Sequence, residues 1–172
     1  RHKQQLPCIT LDLCLESSQE LLLKLLNDDR VFSIGAAPPC GTSSRAREKK
    51  IKNLDISRQP KPLRSGKYPR GFPEALAGTA PFTETDATRL KQANVIYDFV
   101  SLLALRSHSK GVYFWVENPR SSWMWEIQGF RHLLTLPEVK MHDLQVCMFG
   151  GPRPKWSSFM SNIPRFGDIV QT

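Results

Sequence analysis

Several features that would place a chain in a special class are missing from this sequence. No apolar run approaches the ~20 residues of a bilayer-spanning helix, and the opening RHKQQLPC lacks the apolar core of a signal peptide. No membrane partner is expected, and the expected setting is intracellular. Four cysteines, Cys8, Cys14, Cys40 and Cys147, are too few and too scattered for a disulfide framework. No C-x-x-C pair points to zinc or redox chemistry, so the cysteines read as thiols and no metal is expected. There is no internal repeat and no low-complexity tract. The first residue is Arg1 and an expected strand follows almost at once, which leads us to expect a missing N-terminal part.

What is present suits a single domain over residues 1–172 with a real core: 40% of the residues are hydrophobic and 23% charged. Acidic side chains are scarce in one place. Residues 45–70 carry ten basic side chains against Glu48 and Asp55, which accounts for the whole net charge of +8, and the remainder is balanced. A localised basic stretch is the electrostatic footprint of phosphate-backbone binding. The four prolines at 60, 62, 69 and 73 leave a solvated, disordered loop as the alternative reading.

The apolar pattern gives an alternation of strands and helices. Cys8–Leu13 reads as a short buried strand ending near Asp12, and leucines at 21, 22, 25 and 26 make one face of a helix from Glu16 to Leu26 apolar. Val31–Ala36 reads as a strand buried on both faces, so residues 8–36 would form a β-α-β unit with parallel strands. Residues 41–82 show no convincing periodicity, and a loop of that length inside a compact domain is either functional or disordered. A long helix opens at Thr83 or Thr85 and runs to about Arg106, with Leu90, Ala93, Ile96, Tyr97, Val100, Leu103 and Ala104 on one face. Val112–Glu117 is the strongest strand. A helix from Ser121 or Ser122 to Leu134 follows, its tryptophans serving packing, then one or two short strands in Val139–Phe149, a Gly150-Gly151-Pro152 loop and a last strand at Ser157–Ser161.

Two strand ends carry reactive groups. Pro38 and Pro39 fix φ and remove two backbone donors, which holds Cys40 on a stiff loop beyond the carboxyl end of its strand. Glu117 and Asn118 stand at the end of the later strand, before Pro119. In open α/β sheets this is the ligand edge, and groups from two strand ends can converge on one site. Each residue alone has a plain structural reading, Cys40 as a small packed side chain and Glu117 as a solvated strand end.

The order of a strand ending in Pro-Pro-Cys, a later strand ending in Glu-Asn-Pro and a downstream Pro152-Arg153-Pro154-Lys155 segment resembles the DNA cytosine-5 methyltransferase family, in a divergent form like those of phages or mobile elements. The resemblance implies a Rossmann-like methyltransferase fold, here incomplete, with a mostly parallel sheet and flanking helices. It implies Cys40 as the nucleophile and Glu117 as the acid, with S-adenosylmethionine as cofactor near Asp12, Pro38 and Pro39. DNA would be the partner, with RNA as the other possible substrate, contacted by Asn118, Arg45, Arg47, Lys49, Lys50, Lys52 and Lys155. A DNA substrate would place the protein in the nucleus or nucleoid. The chain departs from the family pattern at Gly41, where the family has Gln, and at Pro119, where it has Val. Arg153 and Ser157 stand where the family has Gln and Arg. No glycine-rich loop precedes Asp12, so the chain by itself is expected to hold the donor's methionine end poorly. Three alternatives stay open: an amino-methyltransferase, in which Cys40 takes the place of an aromatic; a non-catalytic nucleic-acid-binding module that keeps the fold; and a protein-interaction domain with Cys40 merely packed.

Overall fold

The computed structural model describes residues 8–145, 147, 150 and 155–169. Its sheet has four strands, β1 (Ser33–Ala36), β2 (Tyr113–Pro119), β3 (Lys140–Gln145) and β4 (Trp156–Ser161), in the order β1-β2-β4-β3. Only β1 and β2 are parallel, with Ser33 opposite Tyr113 and Ala36 opposite Val116. β4 runs antiparallel to both its neighbours. The expected mostly parallel sheet is therefore corrected to a small mixed one, and the fold is α/β with helices flanking that sheet.

The expected strand at Cys8–Leu13 does not form. Asp12 closes the chain on itself: its carbonyl accepts from Leu15 N at 3.1 Å and its Oδ1 from Cys14 N at 2.9 Å. Such a local Asx turn offers the backbone an alternative to a ladder. The turn leads directly into α1 (Glu16–Leu25). Ile9 is 74% exposed, and β1 pairs with β2 alone among the described residues. The β-α-β unit proposed for residues 8–36 is thus absent, and the parallel crossover instead joins β1 to β2 through residues 41–109. β1 is correspondingly an edge strand, shorter than Val31–Ala36, and it is not buried on both faces.

That crossover ends in α3 (Glu84–Ser109), which starts on a reciprocal cap: Thr83 Oγ1 accepts from Asp86 N while Asp86 Oδ2 accepts from Thr83 N. Its buried stripe, Ala93, Tyr97, Val100 and Ala104, packs on Phe114 and Val116, the alternate residues of β2 that face it. Met160 of β4 and Ile127, Phe130 and Leu133 complete this core. The single helix expected after Ser122 is two pieces, a 3-10 turn at Trp123–Glu126 and α4 (Gln128–Leu133). Ile127 separates them in extended geometry, with ψ of 138°, and is buried to 2% exposure. Burying that side chain takes precedence over continuing the helix.

Part of the 41–82 segment is packed, although residues 48–53 and 55–58 are exposed. Leu63, Ala75 of the short helix α2 (Pro73–Ala77) and Leu90 form a second small core with Phe72, Leu76 and Phe82 around it. Arg64 lies inside this layer at 1% exposure. It donates to Pro69 O and Asn94 Oδ1 at 2.7 and 2.8 Å and to Thr42 Oγ1 at 3.0 Å. Burial pushes its guanidinium down to about 10, which still leaves it charged at neutral pH.

Candidate active site

The register of β1 and β2 decides where the two reactive strand ends lie. With Ala36 opposite Val116 in parallel, the Pro38-Pro39-Cys40 loop leaves β1 at the same carboxyl edge at which β2 runs on through Glu117 and Asn118, still paired with Phe159 and Ser158 of β4. The loop is held at three successive carbonyls. Pro38 O accepts from Asn118 Nδ2 at 2.9 Å, Pro39 O from the Tyr97 hydroxyl at 2.5 Å, and Cys40 O from Ser43 N and Ser44 N at 3.1 and 2.8 Å. Tyr97 Oη also lies 2.9 Å from Ser43 Oγ, which is 2.8 Å from Ser122 Oγ, and Trp123 N donates to Ser43 O. The half-buried Cys40 is thus carried on a backbone fixed from the long helix, the second strand and the turn after it.

Glu117 and Asn118 point to opposite faces of β2, as successive strand residues do. Asn118 is fully buried, so the expectation that it touches nucleic acid is corrected: its side chain secures the Cys40 loop. Glu117 lies on the other face, 20% exposed, with Lys155 Nζ 3.5 Å from its Oε1. Lys155, expected on nucleic acid, is engaged with the candidate acid. Arg153 and its flanking prolines lie outside the described residues. Two buried polar atoms at this edge, Asn118 Oδ1 and Ser157 Oγ, have no hydrogen-bond partner among the described residues. Native folds carry few such atoms.

The residues expected around the cofactor divide. Pro38 is buried under Asn118, whereas Asp12 and Pro39 line one cavity of about 440 Å³ together with Thr42, Arg89 and Ala93. That volume falls in the ordinary range for a small-molecule site. Asp12 reaches it from the turn before α1 and not from a strand end.

The basic stretch contains two populations. Arg47 is a strut: its Nε donates to Lys61 O at 2.9 Å, its Nη1 to Gly41 O at 3.5 Å, and its Nη2 lies 4.0 Å from Asp86. These contacts tie its guanidinium to the loop, while its side chain stays 27% exposed. Arg64 is buried, Arg70 makes a two-pronged pair with Asp98 at 2.6 and 2.7 Å, and Lys61 donates to Pro81 O. Arg45 pairs with Glu48 and lies over the Trp123 ring, 5.0 Å from its centre, while remaining exposed. Lys49, Lys50 and Lys52 are exposed and make no ion pair among the described residues. They stand on a lobe closed by Gln59, whose amide bonds the Ile51 N–H at 2.7 Å and the Ile51 and Leu54 carbonyls at 2.9 and 2.6 Å.

Comparison with family models, curated proteins and solved structures finds no match for this chain. Among the described residues no helix is long and apolar enough to cross a membrane, and no cluster of three or more His, Cys, Asp or Glu side chains is placed to hold a metal. The residues that sequence reasoning missed are Tyr97, Ser43 and Ser122 under the Cys40 loop and Arg89, Gln92 and Cys14 around the cavity. Tyr97 falls on an apolar helical stripe and reads as packing; nothing in the sequence shows where its hydroxyl lands, 58 residues away on Pro39.

Proposed function

We propose that this chain carries the catalytic edge of an S-adenosylmethionine-dependent DNA methyltransferase acting on carbon 5 of cytosine, with a Rossmann-like sheet of which the β1–β2 pair is the working part. The observation that carries the reading is the three-carbonyl anchoring of the Pro-Pro-Cys loop beside the Glu117 strand end. A nucleophile gains most from being held close to its attack geometry before substrate arrives.

Carbon 5 of cytosine is a poor nucleophile. The Cys40 thiolate adds to carbon 6, forming a C–S bond and making the ring enamine-like. Glu117, hydrogen-bonded to ring nitrogen 3, stabilises the charge that develops there. S-adenosylmethionine, when bound, supplies the methyl group from its sulfonium. After transfer, carbon 5 loses its proton to a base and the C–S bond breaks, returning the Cys40 thiolate. In a duplex the base has first to leave the stack. Asp12 and Pro39 on the cavity wall are the residues of the expected cofactor set that fit a small-molecule donor.

The test is covalent trapping. With DNA containing 5-fluorocytosine and the methyl donor, the protein is expected to form a stable adduct, because fluorine does not leave carbon 5 as a cation. Cys40→Ser should abolish the adduct, and Glu117→Gln should slow its formation while leaving DNA binding intact. An adduct that survives Cys40→Ser removes Cys40 as nucleophile. The exposed lysines of the 49–60 lobe favour a second reading, a nucleic-acid-binding module without catalysis. Salt-sensitive DNA binding with no adduct from wild-type protein would select it.

A further inference from the structure

The cavity beside the Cys40 loop has a polarity that the methyltransferase reading alone does not explain. Arg89, Gln92, Ala93 and Ile96 line it from α3 at the i, i+3, i+4, i+7 spacing of a single helical stripe. Arg89 and Ile96 are therefore about 10 Å apart along the axis at 1.5 Å per residue. The Ile96 end is apolar and next to Tyr97, whose hydroxyl is tied to Pro39; the Arg89 end is exposed. Against the middle of the stripe lies the turn before α1, where the Cys14 thiol meets Gln92 O at 3.9 Å and Asp12 Oδ1 accepts from Cys14 N. Asp12 Oδ2 makes no hydrogen bond among the described residues, and Arg89 makes no ion pair among them. Arg47, the other cation on the wall, is engaged with Lys61 O and Gly41 O.

The cavity therefore presents one available carboxylate, one available guanidinium and an apolar end at Ile96, next to the Tyr97 that is tied to Pro39. A polyphosphate would meet too little positive charge and the Asp12 carboxylate; a simple cation would meet Arg89. A ligand bearing both charges a few bonds apart satisfies both groups. We propose that this cavity binds the zwitterionic head of an α-amino acid, with its carboxylate on Arg89 and its ammonium on Asp12, supplied either by a free amino acid or by the methionine end of the methyl donor. In the donor case the inference rests on the function proposed above. It also supplies the methionine end with a holder other than a glycine-rich loop.

The test is calorimetric titration of the full chain with S-adenosylhomocysteine, L-methionine, L-methionine methyl ester and adenosine. S-adenosylhomocysteine or L-methionine should bind more tightly than the ester and adenosine. Arg89→Ala should weaken the carboxylate-bearing ligand at least tenfold and leave the ester unchanged. Asp12→Asn, which keeps the acceptor for Cys14 N, should weaken all three ligands that carry the α-amino group, S-adenosylhomocysteine, L-methionine and its methyl ester, with melting temperatures reporting that each variant is folded. Adenosine binding as tightly as S-adenosylhomocysteine, an Arg89→Ala variant of unchanged affinity, or no binding of any of the four overturns the inference. No binding together with a 5-fluorocytosine adduct would sink the inference and keep the methyltransferase reading. Arg89-dependent methionine binding with no S-adenosylhomocysteine binding and no adduct would do the reverse.

Discussion

Asn118 near the end of β2 donates its side-chain amide to the carbonyl of Pro38, two residues beyond β1, 2.9 Å apart in space and 80 residues apart in sequence. This bond fastens the candidate nucleophile's loop to the strand that carries the candidate acid. Asn118→Ala leaves the Pro38 carbonyl without its donor and opens a space where a fully buried side chain stood. A loss of about 1–3 kcal/mol is expected in denaturant unfolding, together with faster alkylation of Cys40 as its loop loosens. An unchanged alkylation rate would show that the remaining anchors at Pro39 and Cys40 suffice.

Arg64 fastens the other end of the same region. Its replacement by Ala strands Asn94 Oδ1, Thr42 Oγ1 and the Pro69 carbonyl in a buried layer, with an expected cost of about 2–4 kcal/mol. Limited proteolysis should then cut within residues 41–82 before the rest of the chain. Cleavage as slow as in wild type would mean that the second core, Leu63, Ala75 and Leu90, holds the segment alone.

The two populations of basic side chains should separate in salt titrations. Replacing Lys49, Lys50 and Lys52 together with Ala should leave the melting temperature unchanged and lower the slope of log affinity for DNA against log salt by about 3. Arg47→Ala should do the opposite, lowering stability and leaving the slope nearly unchanged, because its guanidinium is spent on Lys61 and Gly41. Equal effects of the two on the slope would contradict this division.

Gly35 in β1 lies under the Trp115 ring, where an added Cβ would sit 2.2 Å from the nearest ring carbon. Gly35→Ala should therefore destabilise by about 1–3 kcal/mol. Adding Trp115→Leu should recover part of that loss, measured as a positive coupling in a double-mutant cycle. Additive losses would mean that the ring moves aside without cost.

The sequence by itself determined α1, the long helix opening at Thr83 or Thr85, a strand around Val112–Glu117 and the placing of Cys40 just beyond a strand; the structure chose Thr83 as the cap and carried the later strand on through Glu117 to Pro119. Each of these follows from local chemistry: a capping residue, a 3.6-residue stripe, a run of β-formers, or the Pro38-Pro39 pair beyond the first strand. Tertiary structure alone decided whether Cys8–Leu13 pairs, because a strand needs a neighbour that its own residues do not specify, and the Asp12 turn was the local competitor. It also decided which basic residues are struts and which are exposed, since Arg47, Arg64 and Lys52 are chemically alike in a charge count and differ only in what lies beside them. Tyr97 and Asn118 took their roles the same way: each meets a group from another part of the chain, and the direction of a side-chain hydrogen bond across such a distance is fixed by packing rather than by spacing in sequence.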